Sequence, residues 1–257
     1  MDSRGIDPAS LLDAFSWWGI ASFFRCPVDL DPANCDIAVV GVPHSSGNGS
    51  TERDQHLGPR AVRNVSASHR RPHQQFGFSP WDAARITDLG DVAVPEALDN
   101  EATLDRIIDR FQEIAAAGTF PVSIGGDHSI AGAILTALGR SPLSRGRPLA
   151  VLQLDAHPDA SEQLGHWLGV RRSAAHWAAY TVRDGNVDAS RSLQIGLRGN
   201  KFSPDWKQPS LDLGYQVIEM SEVRELGVPR CVEMVRERVG DSPLYVSFDL
   251  DCLDPTI

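Results

Sequence analysis

Three stretches of this 257-residue chain end in residues able to hold a metal ion: Ile124-Gly-Gly-Asp-His128, Leu154-Asp-Ala-His-Pro-Asp159 and Phe248-Asp-Leu-Asp251. The middle one sets the pattern. Residues i, i+2 and i+4 of a strand share one face, so Asp155, His157 and Asp159 leave the end of the apolar run before them in the same direction. A buried group of carboxylates is costly without counter-charge, and carboxylate with imidazole is a donor set for divalent first-row metals. Each piece alone carries little: a D-x-D after a strand also caps a helix, and a lone His after Gly-Gly is more often structural. The three stretches together offer Asp155, Asp159, Asp249 and Asp251 as carboxylates and His128 and His157 as imidazoles. One ion needs only three or four protein ligands. The set therefore suggests two ions about 3.5–4 Å apart sharing carboxylates, an arrangement that activates water and stabilises charge on a substrate. Asp127, just before His128, either orients a ligand imidazole or caps the next helix, and is expected immediately behind the ligands.

These residues need strands to carry them. Short apolar runs at 36–43, 84–91, 121–129, 149–157, 192–199, 214–220 and 243–251 read as strands, most of them running into Gly, Pro or polar residues. Between them, apolar residues at helical spacing predict helices over 100–117, 130–138 and 229–239, with a further helix opening at Gly58-Pro-Arg60. Strands alternating with helices make an α/β protein with a mostly parallel sheet covered on both faces. Ligands in such sheets collect beyond the carboxyl ends of the strands, so the three metal-type ends are expected to share one crevice. Residues 1–35 read as an N-terminal extension, with Leu11, Leu12, Phe15, Trp18 and Ile20 at roughly helical spacing, and 36–257 as one domain. The polar stretch His44 to His56 is long for a connection in a compact domain and is expected to face the substrate, with Asn48 and Thr51 as its candidate contacts.

Composition narrows the class. Formal net charge is -10, which argues against a nucleic-acid surface and favours cationic small molecules over anionic ones. Four cysteines without C-x-x-C spacing point to a reducing compartment, and no long apolar run or leader pattern interrupts the expectation of a cytoplasmic protein without a membrane segment.

At this point the chain resembles the ureohydrolase family, which includes arginase and agmatinase. The resemblance runs from about Asp36 through Gly41-Val-Pro43, Gly58-Pro-Arg60, Gly125-Gly-Asp-His-Ser129, Asp155-Ala-His-Pro-Asp159, Gln194-Ile-Gly-Leu-Arg-Gly199 and Ser247-Phe-Asp-Leu-Asp-Cys-Leu-Asp-Pro255, with the three metal motifs in family order. The stretch around Gln194 to Gly199 is closer to agmatinase-like members than to arginase. The resemblance implies a three-layer arginase-like α/β/α fold and two Mn2+ per subunit, with Ni2+ or another divalent metal as the alternative. It places one ion on His128, Asp155, Asp159 and Asp249 and the other on Asp155, His157, Asp249 and Asp251. It implies hydrolysis of a guanidino compound (agmatine, a guanidino acid or guanidine) to urea and an amine or ammonia, with Asp159 handling the proton. It also implies a proton-shuttling histidine downstream, for which His176 is preferred and His166 is the alternative, and a homo-oligomer, trimer or hexamer.

The resemblance has a limit. Family members continue past Asp-Pro with a glutamate that contacts the guanidinium, then a strand inside the sheet and a helix. The sequence reads as a member lacking that last strand and helix, with exposed strand edges and little activity expected. Two other classes stay open: a metal-dependent amide hydrolase of deacetylase type, with one metal per chain, and a non-catalytic metal-binding paralogue.

Overall fold

A computed structural model describes residues 19–48, 54–67, 72–162, 171–200 and 203–254. Among these residues seven strands form, in the order β1 (Ile37–Val42), β2 (Ile86–Asp91), β3 (Phe120–Gly125), β4 (Ala150–Leu154), β5 (Leu193–Leu197), β6 (Gln216–Glu219) and β7 (Leu244–Phe248). The helices are α1 (Gly58–Ser66), α2 (Pro80–Ala83), α3 (Asn100–Ala116), α4 (Ser129–Gly139), α5 (Trp177–Arg183), α6 (Gln208–Leu213) and α7 (Met220–Val239). Every strand pairing is parallel.

The strands pair as two sheets, β2-β1-β3 and β6-β5-β4-β7, rather than the single sheet expected. Among the described residues no strand pairs with the free edges of β3 and β7. These edges line opposite sides of one cavity of about 1160 Å³. Phe120, Val122, Val246 and Phe248 consequently stand exposed on strands that would otherwise bury them.

The layers follow from side-chain alternation. In β1, Ala38, Val40 and Val42 enter the main core with Leu104, Ile107, Phe111 and Ile114 of α3. Those four are fully buried and lie at helical intervals, each contributing roughly 1.5–3 kcal/mol by leaving water. Asp99 caps this helix, its carboxylate accepting from Ala102 N. Helix α4 is apolar on all sides, with every residue from Ser129 to Leu138 buried, as expected of a helix packed between neighbours. In β4, Val151 faces this core, whereas Ala150 joins Leu193, Ile195 and Ile218 in a second cluster that Val223, Met234, Val235 and Val239 of α7 cover. Helices thus lie on both faces of the second sheet.

The expected elements form close to their predicted limits. Helix α7 begins earlier than the predicted 229, running from Met220 with a break at Gly227, whose φ is +73°. The predicted helix around Leu11 to Trp18 lies outside the described residues. From Phe23 onward the N-terminal segment packs into the body: Phe23, Cys26 and Cys35 are buried, and Val28 pairs with Asp88 beside β2. No helix among the described residues is long and apolar enough to cross a membrane.

Candidate metal centre

The carboxyl ends of β3, β4 and β7 bring the predicted ligands together. Leu154 pairs with Phe248 in the parallel register, so Asp155 and Asp249 leave adjacent strands side by side. His128 arrives from the other sheet through a tight turn at Gly126. There φ is +61°, and a Cβ would sit 2.4 Å from the Val42 carbonyl oxygen, so only glycine fits. Asp159 also adopts a left-handed backbone, φ +47°, a region in which Asp is enriched among non-glycine residues.

His128 Nδ1 lies 3.1 Å from Asp155 Oδ2, 2.9 Å from Asp159 Oδ2 and 3.1 Å from Asp249 Oδ2. None of these contacts has hydrogen-bond alignment, and the nitrogen is buried without a partner. Three carboxylate oxygens thus stand around one imidazole nitrogen, that of Asp249 among them although it joins neither of the metal-sized groups below. Separations near 3 Å are those of neighbouring donors around a six-coordinate ion with bonds of about 2.1 Å. A second group forms beside it: His157 Nδ1 is 2.8 Å from Asp251 Oδ2 and 3.6 Å from Asp155 Oδ1. The ligand atoms of His128, Asp155 and Asp159 form one metal-sized group, and those of Asp155, His157 and Asp251 another, with Asp155 common to both. The donor set therefore fits a pair of divalent ions.

Burial grades across the cluster. Asp155 is 1% exposed and His157 61%, so the second group is the open one. Four carboxylates against two imidazoles leave the cluster anionic in any protonation state of the histidines. Electrostatics follow: the carboxylates of Asp155 and Asp251 beside it raise His157 to about 10. Burial works against protonating His128, but the surrounding carboxylates push it well above its ordinary value. Burial raises Asp159. Asp155 is held below the usual range: burial opposes this, but contacts with both histidines and Gln153 prevail.

Several supporting residues were not singled out from sequence. Ser247 Oγ is 2.7 Å from His128 Nε2, the second-nitrogen contact that orients a ligand histidine. Gln153, fully buried, donates to Asp155 Oδ2 at 2.7 Å and to the His157 carbonyl oxygen at 3.1 Å, and its own oxygen accepts from Gln194 Nε2 at 2.7 Å. Trp177 Nε1 donates to Asp159 Oδ2 at 2.9 Å. Arg198 donates to the carbonyl oxygens of Asp251 and Leu253, fastening the turn that carries Asp249 and Asp251. Strand alternation marks Gln153 and Ser247 as sharing faces with Asp155 and Asp249; nothing local marks the other two.

The remaining expected residues divide. Asp127, just before α4, accepts from Ser129 N at 2.9 Å, and its other oxygen accepts from Gly47 N at 2.9 Å. Asn48 lines the cavity beside the cluster. His176 does not appear in that lining, where Ala174 and Ala175 stand; it is buried, with Nδ1 2.7 Å from Ser173 Oγ. Thr51 and His166 lie outside the described residues.

A parallel α/β fold with carboxylates and imidazoles clustered at its strand ends has the donors of a metal-binding protein. The chain belongs to the arginase family, which it matches over residues 35–257. It is 38% identical to the guanidinopropionase of Pseudomonas aeruginosa over 92% of this chain and 72% of that protein. It is 34% identical to the mitochondrial agmatinase of Gallus gallus over 92% of this chain and 67% of that one. Among solved structures, the proclavaminate amidino hydrolase of Streptomyces clavuligerus superposes with a TM-score of 0.84 at 29% identity, covering 94% of this chain and 77% of that one. Such relatives are named as hydrolases of guanidino compounds, among them an amidinohydrolase.

Proposed function

We propose that the protein hydrolyses a guanidino compound to urea and an amine or ammonia, using two divalent ions, Mn2+ or Ni2+. His128, Asp155, Asp159 and Asp249 hold one ion, and Asp155, His157, Asp249 and Asp251 the other. When bound, such a pair supplies a hydroxide near neutral pH by lowering the pKa of water. The observation that carries this reading is the buried, unpaired Nδ1 of His128 facing three carboxylates.

The chain's own groups do the rest. Asp155 orients its two oxygens toward different histidines. Asp159, aimed by Trp177 and raised by burial, is the group placed to accept a proton and return it to the departing nitrogen. The net negative cluster attracts a cationic guanidinium. Guanidinopropionase, guanidinobutyrase and guanidino acid hydrolases stand among the relatives, which supports a guanidino acid over agmatine or free guanidine. The reading extends to a cytoplasmic homo-oligomer, trimer or hexamer, which light scattering checks.

The test is to load the purified protein with Mn2+ or Ni2+, count metal per chain, and measure urea released from a panel of guanidino acids, agmatine and guanidine. Two metals and urea from one substrate class are expected. One metal per chain with hydrolysis of acetylated amines and no urea would replace this reading with the amide hydrolase.

A further inference from the structure

The metal-type residues sit at strand ends, where the sheets fix them. The cavity wall beside them is different, because Asn48, Ala174 and Ala175 belong to two connecting segments, 44–48 and 171–176, outside any strand. Segments of this kind open readily unless side chains hold them. We propose that Asn100 and Glu101, in the first turn of α3, are positioning residues that lock these two segments into a single wall on the substrate side of the cavity.

Asn100 is buried and reaches both segments. Its Nδ2 donates to the Arg172 carbonyl oxygen at 3.2 Å and to Glu101 Oε1 at 3.3 Å. With the amide nitrogen committed to acceptors, Oδ1 must face a donor, and His44 Nε2 lies 2.8 Å from it. Glu101 holds the second segment. It accepts from Arg172 Nε at 2.6 Å and Arg172 N at 3.2 Å, and its carbonyl oxygen accepts from Arg172 NH2 at 3.0 Å. Asp105, one turn on, takes a further bond from the same nitrogen at 2.8 Å. Charge-assisted bonds in such a fork are the strong and directional kind.

The two segments are also joined to each other. Ala174 N donates to the Gly47 carbonyl oxygen at 2.9 Å. Gly47 lies so close to α4 that a Cβ there would stand 2.1 Å from Ser129 Oγ and 2.9 Å from Asn100 Oδ1. Release at α3 therefore loosens both segments, and it does so without touching a metal-type residue. They keep the bonds from Gly47 N to Asp127 Oδ2, from Asp127 N to the His44 carbonyl oxygen and from Ser161 N to the Ala175 carbonyl oxygen. The consequence for catalysis rests on the guanidino-hydrolase reading; the mechanical consequence does not.

The experiment uses Asn100→Ala, Glu101→Ala and the milder Arg172→Lys, with hydrogen exchange, metal counting and urea-release kinetics on each. Faster exchange is expected at 171–176 and also at 44–48 in Glu101→Ala, although Glu101 makes no direct bond to 44–48. Metal per chain stays at the wild-type value, and kcat/KM falls about tenfold or more, mostly through KM. Arg172→Lys, which keeps the charge and one donor, gives a smaller change in the same direction. Wild-type exchange at 44–48 in folded Glu101→Ala overturns the proposal, as does loss of metal with KM unchanged. If the wild type releases no urea from any guanidino compound, the functional reading fails, while hydrogen exchange still decides the clamp.

Discussion

Ser247 Oγ and His128 Nε2 lie 2.7 Å apart, although the two residues are 119 positions apart in sequence, Ser247 on β7 and His128 in the turn that follows β3 of the other sheet. The contact fixes the imidazole so that Nδ1 faces the aspartates. Ser247→Ala should leave the fold intact and weaken binding of the first ion about 10- to 100-fold. Isothermal titration with Mn2+ measures this, and an unchanged affinity would show that packing against Trp177, 5.0 Å from the imidazole between ring centroids, orients His128 unaided.

Gln153 is the corresponding support for Asp155. Replacing it by Leu removes the donor to Asp155 Oδ2 and leaves the buried Gln194 Nε2 with one acceptor fewer. Losing one partner of a buried hydrogen-bonded group costs about 1–3 kcal/mol. Urea denaturation of the metal-free Gln153→Leu variant should show a loss of that size.

Acid stability should depend on Asp88. It is buried and accepts from Arg63 Nε and NH2, Phe23 N and Gly90 N. Burial alone would raise its carboxyl, but these donors hold it below 3.8. The unfolded chain binds the proton more tightly, so the stabilisation is full above that value and disappears as pH falls through the depressed folded one. Asp88→Asn should therefore be less stable at neutral pH, by about 3 kcal/mol for a broken buried pair. It should also be less sensitive to acid, because its unfolding free energy plotted against pH loses slope at the acid end.

Gly126→Ala tests the turn that delivers His128. The added Cβ meets the Val42 and His44 carbonyl oxygens at 2.4 and 2.9 Å, at a φ of +61°. A left-handed non-glycine residue costs roughly 1–3 kcal/mol by itself, and the clash adds to it. Thermal denaturation should register a drop of several degrees, with Mn2+ affinity reduced in the same variant.

The six metal-type residues stand out in the sequence because each lies just past an apolar run, but strand alternation does not aim Asp155, His157 and Asp159: β4 ends at Leu154, and Asp159 takes a left-handed backbone. The parallel α/β class was equally legible from the runs ending at Val42, Gly125, Leu154 and Phe248. Residues acting across long separations were not. Arg198 lies in the Gln194 to Gly199 motif, but its part in holding the turn at Asp249 to Leu253 shows only once that turn is folded against it. Asn100 reads as an ordinary start to α3. The early start of α7 was hidden because Gly227 and Pro229 look like a stop, whereas the structure absorbs the break inside the helix.

The candidate ligands come from both sheets: His128 follows β3, whereas Asp155, Asp249 and Asp251 follow β4 and β7. An ion shared by these donors would tie the two sheets together and bind only when they are in register. Free metal at about 100 times its dissociation constant then adds about 2.7 kcal/mol to folding, so the melting temperature of the protein becomes a gauge of the metal concentration around it.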